Sequence, residues 1–311
     1  MTLKALAEAP SKVIVTGEHF VVHGAWALAA AIGKKVRVEV RDSDRLLISS
    51  ERFGGRSFRA LSPAAKVVEA MAREFSFRPN LCVSISSEVP DGAGLGSSAS
   101  TMVAVASAVS RLRSLGLGGR ELTDFAMVGE RVVHGNPSGI DAAVCARGGV
   151  LLYRPGSEPK PVLFEGTRHF LVVFSGKSRS TKRLVSHVAG EKERLPSFLA
   201  GLSESAGDLS SLAAGRLVSG DMRGLGRLLT LNHGILSALG VSTKDLDQLV
   251  DLLFSLGCYG AKLTGAGGGG SVLAVAPEKK EKGIISALGG RGFEAFVAVT
   301  PVGGVRSWLG S

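Results

Sequence analysis

Cysteine is scarce in this chain and poorly placed for metal or disulfide chemistry. Cys82, Cys145 and Cys258 are the only three and form no CxxC pair. Neither a zinc site nor a disulfide framework is expected, and reduced thiols in a cytoplasmic protein are. Aromatic residues make up only 5% of the chain. The longest apolar run, around residues 25–32, falls far short of the about 20 residues that cross a bilayer. The N-terminal stretch MTLKALAEAPSK lacks the apolar core of a signal peptide, so a cytoplasmic location is expected. The sequence also shows no internal repeat and no GxxxxGK[ST] phosphate loop.

What remains is a globular composition. Apolar side chains make up 45% of 311 residues, enough for one large domain or two ordinary ones. Lys and Arg number 37 against 27 Asp and Glu, a formal charge of +10, which suggests an anionic partner without naming it. The basic residues are scattered and no RRM, KH or helix-turn-helix pattern appears, which argues against nucleic acid. Glycine is the one excess. The chain has 42, where average usage gives roughly 22.

Hydrophobic periodicity predicts interspersed strands and helices. Residues 12–16, 35–40 and 81–87 read as strands, and 45–50 with 56–60 as a hairpin around Phe53-Gly54-Gly55. Residues 63–75, 98–113 and 121–134 read as amphipathic helices, and 148–153 as a strand. Pro155, Gly156, Pro159 and Pro161 mark a domain boundary near residue 160. Beyond it come a strand at 169–174, helices near 181–195, 203–219, 221–239 and 243–256, a strand at 271–275, a helix at 278–288 and a strand at 293–299. The class is α/β or α+β, with units at 1–160 and 161–311.

The glycines concentrate in three places. Pro90-Asp91-Gly92-Ala93-Gly94-Leu95-Gly96-Ser97-Ser98-Ala99 joins a strand to the clearest helix. Alternating glycines let a backbone approach a ligand closely, and the helix start offers unpaired N–H groups to an anion, most naturally phosphates. A glycine-rich turn with a Ser cap is the plainer alternative. The segment from Lys262 to Ser271, KLTGAGGGGS, carries five glycines in six residues, a costly sequence to order that suits close approach to a substrate or another backbone. It matches GxGxxG formally but precedes a strand, which excludes a dinucleotide fold. In PSKVIVTGEHFVVHG, Lys12 heads an apolar strand, and Glu18 and His19 follow a glycine.

These segments resemble the three motifs of the GHMP small-molecule kinases, with PDGAGLGSSAS as the phosphate loop. The GEHFVVHG form of the first motif, with HGNPSGID at 134–141 and SRSTKRLV at 178–185, is most similar to the mevalonate kinase branch. The resemblance implies an α+β, two-domain fold, with a ribosomal protein S5 domain 2-like N-terminal half and a ferredoxin-like C-terminal half. It implies transfer of the ATP γ-phosphoryl group to the primary hydroxyl of mevalonate, with Mg2+. Asp141 would be the base and Lys12 its partner. Ser98 and Glu130 would hold the metal, and residues 90–99 the nucleotide phosphates. Glu18, His19, Thr181, Gly267 and Gly268 would face the substrate, together with Lys12 and Asp141.

Two positions depart from the family pattern: Ala142 stands where Asn is frequent, and Ser271 where Cys often ends the third motif. Taken singly, Glu130 on an amphipathic helix is more often a solvated charge, and Asp141 after glycine a turn residue. The remaining branches of the superfamily, acting on phosphomevalonate, homoserine or sugars, stay open, although Lys12 with Asp141 argues against homoserine kinases. The expected partners are ATP and mevalonate, with no nucleic acid and no membrane, and a homodimer is left open.

Overall fold

The computed structural model describes residues 3–51, 62–90, 92–177 and 181–310, and of 181–183, 185 and 186 the backbone only. Asp91, the second arm of the expected hairpin at 56–60, and the side chain of Thr181 therefore lie outside the described residues.

The described residues form two sheets. The first is organised by β1 (Lys4–Thr16) and β2 (Ala27–Asp42), a long antiparallel pair. β4 (Leu81–Ser87) and β5 (Val150–Tyr153) both pair antiparallel with β2, and β3 (Leu47–Ser50) adds in parallel to β4. A short β6 (Lys160–Pro161) extends β5. Proline cannot donate to a ladder, so Pro10 inside β1 needs an irregularity. The register shifts there, from Pro10 opposite Lys35 to Ser11 opposite Ile32.

Side-chain alternation puts Ala5, Ala7 and Ala9 of β1 on one buried face. These small residues share a core with apolar residues of α1 (Ser62–Glu74), α2 (Ser97–Leu112) and α3 (Gly119–His134). α4 (Ile140–Arg147) follows directly. Periodicity missed this helix because its eight residues are buried on nearly every side, leaving little amphipathic signal.

The second sheet contains β7 (Arg168–Phe174), β8 (Gly260–Thr264), β9 (Ser271–Val275) and β10 (Glu294–Thr300). All pairings are antiparallel in the order β10-β7-β9-β8. That is the ferredoxin-like order implied by the resemblance. Between β7 and β8 lie α5 (Thr181–Arg194), α6 (Pro196–Ser219), α7 (Met222–Ala238) and α8 (Lys244–Ser255), and α9 (Glu278–Gly289) links β9 to β10. α6 starts earlier than its apolar periodicity suggested, with proline in its first turn, a position that asks for no N–H. A shared core joins the sheets: Val13, Val15 and Leu28 cluster with Phe170, Leu273 and Val275.

The chain does not divide cleanly at residue 160. β11 (Arg306–Gly310) returns to the first sheet and pairs antiparallel with β1. The expected unit 161–311 therefore gives up its last strand, because strand pairing is set by edge availability and not by position along the chain. Among the described residues, no helix is long and apolar enough to cross a membrane.

Candidate active site

The site grows from the strand that carries Lys12. Its backbone N–H donates to the Leu95 carbonyl at 3.0 Å, which lays the glycine loop alongside β1. The Lys12 stem then runs under Gly96. A Cβ at Gly96 would lie 2.7 Å from two Lys12 carbons, and the residue has φ +75°, so both sterics and conformation select glycine there. The Lys12 ammonium meets Asp141 Oδ2 at 2.9 Å. Lys12 is 2% exposed, so this charge is compensated in a dry setting where pairing matters most.

Asp141 lies in the first turn of α4, after Gly139. The Tyr153 hydroxyl donates to the Ser138 carbonyl at 2.7 Å and fixes that turn from β5. The other Asp141 oxygen, Oδ1, is buried and finds no hydrogen-bond partner among the described residues. Buried carboxylate oxygens are rarely left so, and the atom is available to a ligand hydroxyl.

The glycine loop is held from behind. Ser271 Oγ donates to the Ala93 carbonyl at 2.8 Å, and Leu95 O receives Lys12 N. In a planar trans peptide the carbonyl and the next N–H point opposite ways. Tying these two carbonyls therefore turns the N–H groups of Gly94 and Gly96 away from Ser271 and β1. Gly94 and Gly96 line a cavity of about 650 Å³, as do Pro90, Gly92, Ala93 and Leu95. The start of α2 adds its unpaired N–H groups and dipole to the same cavity through Ser97, Ser98 and Ala99.

Ser98 Oγ donates to Glu130 Oε1 across α2 and α3. Glu130 is 3% exposed. Burial pushes its carboxyl up to about 7, with the Ser98 hydrogen bond opposing that rise. His134 Nε2 lies 3.6 Å from Glu130 Oε2. Among the described residues, no cluster of three or more His, Cys, Asp or Glu could hold a metal alone. Two hard oxygens side by side, one on a buried carboxyl, suit a Mg2+ that brings most of its ligands from phosphates and water.

Glu18 lines the same cavity and is held on both oxygens. Lys262 donates to Oε1, and Asn232 Nδ2 donates to Oε2 at 3.2 Å. Lys262 is 0% exposed, and burial pushes its ammonium down while Glu18 opposes that. His19 Nε2 donates to the Ala266 carbonyl at 2.9 Å. Thr264 Oγ1 donates to the Ile14 carbonyl at 2.9 Å, pinning β8 to β1.

Lys12, Glu18, His19, Ser98, Glu130 and Asp141 thus line one cavity. Gly267 and Gly268 do not. A Cβ at Gly267 would strike the Val241 carbonyl at 2.1 Å, and one at Gly268 would strike Leu184 at 2.7 Å. Their close approach is to the protein's own chain, and Gly265 and Ala266 line the cavity instead. Lys262 and Asn232 were given no role from the sequence, and Ser271 was noted only as a departure from the family pattern. A lysine inside the otherwise apolar strand β8 was the available signal for the first.

Comparison with known proteins agrees with this architecture. Residues 62–149 match the GHMP kinases N terminal domain and residues 212–294 the GHMP kinases C terminal domain. The chain is 36% identical to the mevalonate kinase of Aeropyrum pernix, over 98% of this chain and 99% of that one. It belongs to the mevalonate kinase family of GHMP kinases. Another member, from Pyrococcus abyssi, is 38% identical over 89% of this chain and 90% of its own. The crystal structure of L. major mevalonate kinase in complex with R-mevalonate superposes with a TM-score of 0.80 at 29% identity, covering 95% of this chain and 96% of that one. The α+β GHMP kinase fold expected from the motifs is therefore the fold of this family member.

Proposed function

We propose that the chain is an ATP-dependent kinase that phosphorylates the primary hydroxyl of mevalonate to give 5-phosphomevalonate. The observation that carries this reading is the Lys12–Asp141 pair, at 2.9 Å, in the cavity lined by the glycine loop. Phosphoryl transfer asks for in-line placement and for positive charge around the transferred group. Asp141 Oδ1 accepts the hydroxyl proton while Oδ2 stays paired with Lys12. The Lys12 ammonium, 2.9 Å from Oδ2, orients the carboxylate and faces the negative charge that develops on the phosphoryl oxygens. The Gly94 and Gly96 N–H groups and the start of α2 hold the nucleotide phosphates.

Ser98 and Glu130 would hold Mg2+ carried in with ATP; the ion would neutralise phosphate charge, and its presence would favour the ionised form of Glu130. Glu18, fixed by Lys262 and Asn232, presents acceptor capacity to substrate hydroxyls, and His19 sits beside it. Thr181 completes the substrate side in this reading. The division into an N-terminal unit up to about residue 160 and a C-terminal unit fits the two sheets, with β11 assigned to the first. The cytoplasm fits the reduced cysteines.

The deciding experiment measures ADP release with mevalonate, phosphomevalonate, homoserine and galactose in parallel. Turnover should appear with mevalonate. Turnover on another of these substrates and none on mevalonate would overturn the assignment.

A further inference from the structure

Ser100 stands one turn into α2, fully buried, and does not line the cavity. Its hydroxyl nevertheless meets three segments at once. Oγ lies 2.9 Å from the Pro10 carbonyl on β1, 3.0 Å from the Gly96 carbonyl at the head of α2, and 3.3 Å from Cys145 Sγ on α4. A hydroxyl has one proton, and here two carbonyls receive it. The third contact is then made by the thiol proton of Cys145, pointing at Ser100 Oγ. Burial pushes the Cys145 thiol up to about 12, so it is a neutral donor at any working pH.

Each segment reached by Ser100 carries one part of the reaction. Pro10 precedes Lys12 by two residues on β1, at the point where the ladder shifts register. Gly96 closes the phosphate loop and lies against the Lys12 stem. Cys145 follows Asp141 by one helical turn and so shares its face of α4. A serine inside a helix commonly bonds back to the carbonyl four residues earlier, which accounts for Gly96 alone. The contacts to Pro10 and Cys145 go beyond that local habit.

We propose that Ser100 is a positioning residue which, through Pro10 and Cys145, sets the separation of Lys12 and Asp141 and seats both against the phosphate loop. This rests on the reading of Lys12 and Asp141 as the reacting pair. A hydroxyl at this junction couples β1, α2 and α4 more rigidly than apolar contact does, because a hydrogen bond has a preferred length and direction. Small displacements at a reacting centre are costly in rate.

The test uses the full chain and ADP release, recording kcat, both KM values and the thermal unfolding midpoint. Ser100→Ala and Cys145→Ala should each lower kcat by about ten- to a hundredfold, with KM for ATP and for mevalonate close to those of the unaltered chain. The double variant should be no worse than Ser100→Ala, since both remove one junction. Cys145→Ser keeps a donor and should restore most of the kcat lost in Cys145→Ala. A purely structural serine would lower the unfolding midpoint and leave kcat intact, and that result would overturn the proposal. If Ser100→Ala does not fold, equal kcat in the two Cys145 variants overturns it instead. Asp141→Asn, run alongside, separates the two readings. Activity retained there defeats the pair assignment itself, whereas an inactive Asp141→Asn with a fully active Ser100→Ala defeats only the role of Ser100.

Discussion

Burial raises the Glu130 carboxyl to about 7; Ser98 and Lys12 act against that rise and Asp141 adds to it. A carboxyl whose folded value lies above its ordinary 4.5 binds more protons in the folded state. Its contribution to stability is complete below about pH 4.5 and is lost as pH rises through about 7. Glu130→Gln removes that dependence. The ligand-free variant should be more stable than the unaltered chain above pH 7, by up to about 3 kcal/mol, and the gap should close toward pH 4.5 in thermal unfolding. The same change should raise the Mg2+ concentration needed for half-maximal activity. An unchanged Mg2+ titration would remove Glu130 from the ligand set. Asp141 obeys a different logic. Asp141→Asn keeps the size of the side chain but loses the proton acceptor, so kcat should fall by about 10²–10⁴-fold. ATP binding, measured by calorimetry, should persist, because the loop N–H groups are untouched. Near-normal kcat would mean that the base lies elsewhere.

The hairpin of β8 and β9 shows how an element can act on two parts of a site at once. Thr264 and Ser271 are paired across it. Thr264 fastens β1 through Ile14, and Ser271 fastens the glycine loop through Ala93. Ser271→Ala should free the Ala93 peptide to rotate and so loosen the aim of the Gly94 N–H. KM for ATP should rise about fivefold, the loss of a hydrogen bond of about 1 kcal/mol, while KM for mevalonate stays put. Equal changes in both constants would mean a general loosening and not a loop effect. The loop itself was legible in the sequence because its chemistry is local: alternating glycines, then serines, then a strong amphipathic helix. Lys12, Asp141, Ser98 and Glu130 were readable through their motifs, although nothing in spacing alone brings them together. The hairpin's partners were not readable. Glu18 and Lys262 are 244 residues apart, and no periodicity reports a contact across that distance. Gly267 and Gly268 misled for a related reason: a glycine signals close approach, but not to what.

At the scale of the whole molecule, the first sheet is closed by the far end of the chain, and Glu8 marks the seam. Its carboxylate accepts from Lys35 at 3.0 Å and Arg37 at 2.7 Å, both on β2, and from Arg306 at 2.7 Å on β11. Burial would raise its carboxyl, but the hydrogen bonds from Arg306, Lys35 and Arg37 outweigh that and hold it at about 2. A single exposed ion pair contributes little. Here one carboxylate serves three cations on the two strands that flank β1, in a chain of net charge +10 where each unneutralised cation adds to self-repulsion. A carboxyl held below its ordinary 4.5 stabilises the fold above that pH and loses its contribution as pH falls toward about 2. Glu8→Gln should therefore lower the unfolding midpoint at neutral pH, and the gap to the unaltered chain should shrink between about pH 4.5 and 2. Glu8 does not line the cavity, so kcat should be unaffected while the protein remains folded. A midpoint difference that stays constant across that acid range would show that Glu8 acts by packing, and the electrostatic account of how β11 is held would fall.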